Sequence, residues 1–341
     1  MSSQKIIIPA VDDLHVHLRQ DDLMNMVVPL IRAGGAKRVL VMPNLKPSIN
    51  TVAQALEYKK QLQQIDNEVE YLMTLYLNPS LTVEEVRLAS ESGIIGIKSY
   101  PRGVTTNSES GIENYEIYYP IFAEMEKLGL ILNIHGEVPS NHKQNICIWN
   151  AEEKFLEHLE KLHKAFPKLR IVLEHVTTKA AVDKVKELGG TVVATITIHH
   201  LELTIDDWAG KNHNFCKPVA KSPIDREALR EVVKEGNHKF FLGSDSAPHT
   251  IDTKETACAC AGVFTTPLLM PYLAHIFEDL ACLDKLQDFT STFGSDFYKI
   301  PKIKETICLE KVSQTVPVSY QSVVPYRANE EIRWTVNSSN K

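Results

Sequence analysis

Runs of β-branched and aliphatic residues recur along the chain, with helical patterns between most of them. Eight such runs read as strands, at about 5–16, 38–43, 69–77, 94–100, 130–135, 170–176, 191–198 and 239–244. Helical periodicity fills 52–64, 83–92, 114–128, 151–165 and 179–188. Arg38-Val-Leu-Val-Met42 and Arg170-Ile-Val-Leu173 are nearly uninterrupted apolar runs, as expected of parallel strands covered on both faces. Eight strands alternating with helices predict an α/β fold, a (β/α)8 TIM barrel. A doubly wound open sheet is the competing arrangement. It is disfavoured because no glycine-rich phosphate fingerprint follows the early strands. Gly34-Gly35 reads instead as the end of a helix.

Two segments interrupt the alternation. Residues 101–112 are polar and rich in turn formers, and they follow the fourth strand, so they are expected on the C-terminal face of the barrel as a lid. Residues 201–224 form a second long connection, after strand seven. From about 300 onward the chain reads as a C-terminal extension packed on the barrel. No linker, repeat or low-complexity tract divides residues 1–341, which are expected to form one domain.

Composition narrows the function classes. With 341 residues, 43% of them hydrophobic, the chain can bury a large core. A net charge of −6 and the lack of a basic stripe argue against a nucleic-acid partner. No apolar run approaches the ~20 residues of a membrane helix, and residues 1–11 hold no signal-peptide core. The chain therefore reads as soluble and cytoplasmic. Its six scattered cysteines include no C-x-x-C pair and read as reduced thiols. Cys258-Ala-Cys260 is spaced too tightly for an ordinary structural zinc pair.

Barrel active sites gather at the C-terminal ends of the strands, so the polar residues there carry the chemistry. Strand one ends in Asp13-Leu-His15-Val-His17-Leu-Arg19, strand two in Met42-Pro43-Asn44 and strand four in Lys98-Ser-Tyr100. Strand five ends in Asn133-Ile-His135-Gly136, strand six in Glu174-His175, and strand eight in Gly243-Ser-Asp245-Ser-Ala-Pro-His249. Residues i and i+2 of a strand share a face, so His15 and His17 can chelate one metal. Imidazole with carboxylate suits zinc. Any one of these histidines could be an ordinary buried residue. His15, His17, His135, His175 and Asp245 all at strand ends of one barrel point to a metal centre.

Lys98 is costly to bury unless paired or neutral. It could lie past the rim, act as a Schiff-base nucleophile, or react with carbon dioxide to give a carbamate bridging two metals. With four histidines and an aspartate around it, the bridging carbamate accounts for most.

These residues, in order over nearly the whole chain, closely resemble the compact bacterial-type and fungal dihydroorotases, a branch of the amidohydrolase superfamily. The matching segments also include Glu174-His175-Val-Thr-Thr178, Thr105-Thr106-Asn107, Ala194-Thr-Ile-Thr197 and Cys258-Ala-Cys-Ala261-Gly262. The H-x-H pair alone would give only the superfamily. The resemblance implies reversible, zinc-dependent cyclisation of N-carbamoyl-L-aspartate to (S)-dihydroorotate, the third step of de novo pyrimidine biosynthesis. It implies two Zn2+ per chain bridged by N6-carboxylysine at Lys98 and a hydroxide. His15, His17, Lys98 and Asp245 would hold one metal, and Lys98, His135 and His175 the other. Asp245 would carry the proton. Arg19, Asn44 and His249 would bind the substrate carboxylate, Ala261 would contribute backbone contacts, and Thr105 and Thr106 would close as a lid. A homodimer is implied as well.

Some positions depart from the family pattern. Lys217 stands where a leucine that contacts substrate through its backbone is expected. Ser99 replaces a common leucine, and His199-His200 replaces a Pro-Gln or similar pair. Neither His199 nor His200 is expected to be a metal ligand. Competing readings are a hydantoinase or dihydropyrimidinase, whose substrates lack the carboxylate, a metal-free scaffold relative, and a lysine-dependent aldolase.

Overall fold

The computed structural model describes residues 4–337. Eight parallel strands run in ring order: β2 (Val11–Val16), β3 (Ala36–Val41), β4 (Glu70–Tyr76), β5 (Gly96–Ser99), β6 (Ile131–His135), β7 (Arg170–Glu174), β8 (Val192–Ile196) and β9 (Phe240–Leu242). The ring closes just beyond β9. His17 N–H donates to Ser246 O at 3.0 Å and Asp245 N–H donates to His15 O at 2.9 Å, so the segment carrying Asp245 extends the sheet beside the two N-terminal histidines.

One expectation needs correction. The apolar run at 5–16 is not one strand. It divides at Ala10, and β1 (Lys5–Pro9) leaves the barrel to pair antiparallel with β10 (Thr306–Glu310), which in turn pairs with β13 (Thr335–Asn337). The short strands β11 (Gln314–Thr315) and β12 (Glu331–Ile332) pair with each other. The physical difference is burial: β1 is covered on one face only, whereas every residue of β2 is buried. The C-terminal part of the chain thus completes a small sheet begun at the N-terminus.

The helices are α1 (Asp21–Val27), α2 (Leu30–Ala33), α3 (Val52–Ile65), α4 (Val83–Glu91), α5 (Tyr119–Leu128), α6 (Ala151–Ala165), α7 (Lys179–Glu187), α8 (Ile205–Trp208), α9 (Pro223–Glu235), α10 (Ile251–Lys254), α11 (Leu269–Asp279) and α12 (Phe293–Tyr298). Local chemistry sets several of their limits. Thr51, Thr82, Thr178 and Ser222 cap α3, α4, α7 and α9 through their side-chain oxygens. Gly129 and Gly236 end α5 and α9 in the left-handed conformation. The expected helix at 114–128 starts later, with a 3₁₀ turn at Glu116–Tyr118 leading into α5. As expected, α2 ends at Gly34, where a Cβ would lie 2.0 Å from Thr266 O. Among the described residues, no helix is long and apolar enough to cross a membrane.

Inside the barrel, Leu14, Leu40, Ile131, Val172, Val193 and Phe241 form one packed layer. Helix α12 closes the floor beneath them, contributing Tyr298 to the same cluster. A Cβ on Gly294 would sit 2.2 Å from Leu14 Cδ1, so only glycine lets α12 approach this closely. With the floor filled, the open end is the C-terminal mouth.

Candidate active site

Four imidazoles meet at that mouth. The His15 ring lies 5.4 Å from the His17 ring and 5.0 Å from the His175 ring, centroid to centroid, and His135 lies 4.7 Å from His175. Asp245 joins them, with Oδ1 2.9 Å from His17 Nε2 and 3.4 Å from His15 Nε2. His175 and Asp245 both hold positive φ angles, 42° and 47°. Such conformations are strained for these residues and persist where surrounding contacts enforce them. For His175 one such contact is its N–H donating to Thr195 Oγ1 at 2.7 Å.

Two buried carboxylates orient two of the rings. His15 Nδ1 lies 2.8 Å from Glu174 Oε2, and His135 Nε2 lies 2.7 Å from Glu137 Oε2. A histidine that donates one nitrogen to a carboxylate presents the other as a lone pair, the usual support of a metal ligand. Glu174 is itself fixed by Thr195 Oγ1 at 2.6 Å and Asn133 Nδ2 at 2.7 Å, and Asn133 also reaches the Tyr298 hydroxyl at 2.6 Å. A continuous path of polar contacts therefore joins the floor helix to His15. Asp13 clasps Ser244, accepting from its N–H at 2.8 Å and its Oγ at 2.6 Å, and so pins the segment before Asp245.

Lys98 lies at the end of β5 with its side chain fully buried and its Nζ without a hydrogen-bond partner. Nζ sits 4.9 Å from the centre of the Tyr100 ring. Burial pulls the amine down to about 8, against the opposing pull of Glu174 and Asp245. Burial also lowers His17 to about 4 and His175 well below the usual imidazole range, so both rings are neutral near pH 7. Burial alone would raise Asp245, but the His17 hydrogen bond and the neighbouring His15 and His175 outweigh it and keep the carboxyl well below its usual range.

This donor set fits a metal. His15, His17 and Asp245 each offer an atom within 4.8 Å of the others. His15 Nε2, His175 Nδ1 and Lys98 Nζ are buried without hydrogen-bond partners. Each such group costs roughly 1–3 kcal/mol if nothing engages it, and ligation of a cation by neutral imidazoles and a carboxylate removes that cost. We expect Glu174→Gln to weaken metal affinity about 10–100-fold, measured by competition with a chromophoric chelator; unchanged affinity would remove Glu174 as the support of His15.

The substrate-side candidates Arg19, Asn44, Thr105, Thr106, Lys217 and Ala261 line the same open cavity. Arg19 lines it, held by its Nε–H on Pro248 O at 3.0 Å. His249 Nε2 is 3.0 Å from both Arg19 Nη2 and Ala261 O. Burial and the Arg19 charge lower His249 to about 2, so the ring is neutral. Ala261 lines the cavity beside Gly262, where a Cβ would meet Ala247 O at 2.4 Å.

The 101–112 segment lies over the cavity. Thr105 and Thr106 line it, Asn44 Nδ2 donates to Thr106 O at 3.0 Å, and Asn107 Nδ2 donates to Asn44 O at 2.8 Å. Lys217 also lines the cavity, and its ammonium donates to Val104 O at 2.7 Å. Ser99 Oγ lies 3.2 Å from the Tyr115 hydroxyl. Every site candidate from the sequence thus falls at this mouth, although Lys98 lies beneath the cavity and His249 behind Arg19. Sequence reasoning gave no role to Tyr100, which lines the cavity, to Glu137, or to the Asp13 clasp. The only signal for Glu137 was its place two residues after His135. His199 and His200 do not line the cavity.

Residues 6–309 match the amidohydrolase family model. The chain is 51% identical to a probable dihydroorotase of Schizosaccharomyces pombe, covering 96% of this chain and 97% of that one. It superposes on the structure of Saccharomyces cerevisiae dihydroorotase in complex with 5-fluoroorotic acid with a TM-score of 0.95 and 40% identity, over 98% of each chain. The L-hydantoinase of Arthrobacter aurescens, at 18% identity and a TM-score of 0.84 over 97% of this chain and 83% of that one, shares the fold. A closed parallel barrel, a histidine-rich mouth and near full-length identity to these enzymes agree: the chain belongs to the amidohydrolase family, among the dihydroorotases.

Proposed function

We propose that the chain interconverts N-carbamoyl-L-aspartate and (S)-dihydroorotate as a two-zinc enzyme, using the residues at the barrel mouth. One arrangement carries the reading: four histidines, Lys98 and Asp245 converge beneath a small cavity into which Arg19 opens. His15, His17 and Asp245 would hold one ion, His135 and His175 the other, with Lys98 shared. When bound, the ions supply Lewis acidity and an activated water at neutral pH.

A lysine with its amine lowered toward neutrality, buried and unpartnered, is suited to carbamate formation. Nζ adds to the carbon of CO2, an N–C bond forms, and one amine proton leaves to water. The product is an anion at a position where an uncharged amine could contribute little to holding two cations.

Asp245 has the acid–base role. In hydrolysis it takes a proton from the attacking water and delivers it to the ring nitrogen as the amide C–N bond breaks; in cyclisation it removes the ureido proton. As a carboxylate it has lone pairs with which to accept that proton. Arg19 binds the substrate carboxylate. One His249 nitrogen cannot accept from Arg19 and donate to Ala261 O at once, so a carboxylate facing Arg19 gives the guanidinium its own acceptor and leaves His249 free for Ala261. Asn44 spends one of its two amide protons on Thr106 and keeps the second for the substrate. Thr105 and Thr106 exclude water from above. The yeast relative's ligand, 5-fluoroorotic acid, supports a site for a carboxylated pyrimidine ring.

Metal content and dihydroorotate hydrolysis measured on one sample test the proposal. Hydrolysis with two zinc ions per chain, or three where the site proposed below is also filled, supports it, and turnover of an uncharged hydantoin but not of dihydroorotate would overturn it. For Arg19→Lys, we expect KM to rise about 10–100-fold, the equivalent of one or two charge-assisted hydrogen bonds, with a smaller change in kcat. An unchanged KM would move the carboxylate site elsewhere. The family resemblance also implies a homodimer acting in the cytoplasm, and sedimentation of the purified chain checks the first of these.

A further inference from the structure

A second cluster of metal-ligating side chains lies outside the catalytic mouth. The turn after β8 carries His199 and His200, and the long connection before α9 carries Cys216. All three are buried, with exposures of 0%, 2% and 2%. One donor atom from each lies within 4.8 Å of the others. None of the three lines the catalytic cavity.

His199 is the informative member. Neither of its ring nitrogens has a hydrogen-bond partner among the described residues. A neutral imidazole has one donor and one acceptor to satisfy, and a fully buried ring with both unmet is costly unless something else engages it. Its ring centre is 4.5 Å from that of His200. His200 Nδ1 is 2.9 Å from Thr197 Oγ1, and its Nε2 is 3.0 Å from Pro218 O and 3.4 Å from Cys216 Sγ, with Sγ itself 3.3 Å from Pro218 O. A bound cation would take the place of Pro218 as the partner of Nε2 and Sγ, leaving Thr197 as the outer support of the His200 ring.

We propose that His199, His200 and Cys216 form a third cation site that takes zinc or a similarly thiophilic divalent ion. Two imidazoles and a thiolate exclude hard cations such as magnesium and calcium, which take oxygen ligands. Binding forms the metal–sulfur bond and releases the thiol proton to water. With protein ligands from two separated segments, the ion cross-links the turn after β8 to the connection carrying Lys217. The Lys217 ammonium reaches Val104 O in the loop over the substrate cavity, so the site fixes the base from which that contact is made.

Cobalt separates this site from the catalytic one, because no proposed catalytic ligand contains sulfur. The chain, purified under reducing conditions and loaded with Co2+, is expected to show sulfur-to-cobalt charge transfer in the near ultraviolet. Cys216→Ser and His199→Gln should each abolish that band and lower bound cobalt by one ion per chain. The visible bands of the catalytic cobalt should remain. A wild-type chain without the near-ultraviolet band overturns the proposal, as does a band that survives Cys216→Ser and so arises from another thiol such as Cys258 or Cys260. Circular dichroism establishes that each variant is folded. If Cys216→Ser is not folded, the band in His199→Gln decides: its loss supports the site and its persistence overturns it.

Discussion

Lys98→Ala should leave a folded chain that binds neither catalytic metal and hydrolyses no dihydroorotate above background. The substitution removes the one side chain proposed to serve both ions. Lys98 is fully buried, with Nζ 4.9 Å from the centre of the Tyr100 ring. Loss of the buried stem costs packing, offset in part by removing an amine that has no hydrogen-bond partner among the described residues. Short carboxylic acids should restore part of the metal content and part of the rate by placing an anion where the carbamate would stand. Metal analysis alongside the hydrolysis assay checks this. Full activity with two bound zincs in Lys98→Ala would rule out the carbamate.

Asp245→Ala should separate chemistry from binding. The four histidines remain, so much of the metal should be retained, while kcat falls about 10²–10⁴-fold in both directions, the usual contribution of a positioned acid–base group. Some of the loss should be structural. Asp245 sits at a φ of 47° and aligns His17 through a 2.9 Å contact, and alanine has no side chain to sustain either. Asp245→Asn keeps the shape and removes the proton acceptor, so it should be as inactive as Asp245→Ala while holding metal better. Near-normal turnover of Asp245→Asn in both directions would assign the proton to another group.

Much of this was legible in the sequence because barrel strands carry a strong signal. They are buried on both faces, so runs such as Val192–Ile196 stand out, and the mouth follows from reading what ends each run. Where the signal failed, the reason was long-range pairing. The run at 5–16 is continuous in hydrophobicity, yet β1 and β2 join different sheets, and only residues near 306 and 335 decide that. The floor helix α12 lies just before the point where the extension was expected to begin, and nothing local to Phe293–Tyr298 says that it fills the barrel. Lys217 stood out as a departure from the family pattern, but its contact with Val104 spans 113 residues and could not be read from either segment. His199 and His200 were expected not to be ligands, and their nearness to Cys216, which reopens that reading, required the fold.

The polar path Tyr298–Asn133–Glu174–His15 has a bearing on redesign. Barrel enzymes are often treated as modular, with a replaceable rim on an inert scaffold. Here a residue from the bottom helix sets the amide that sets the carboxylate that aims the His15 imidazole. A rim transplanted onto another barrel would arrive with His15 unaimed unless Asn133 and Tyr298 travelled with it, so the smallest transferable unit of this chemistry includes the base of the barrel.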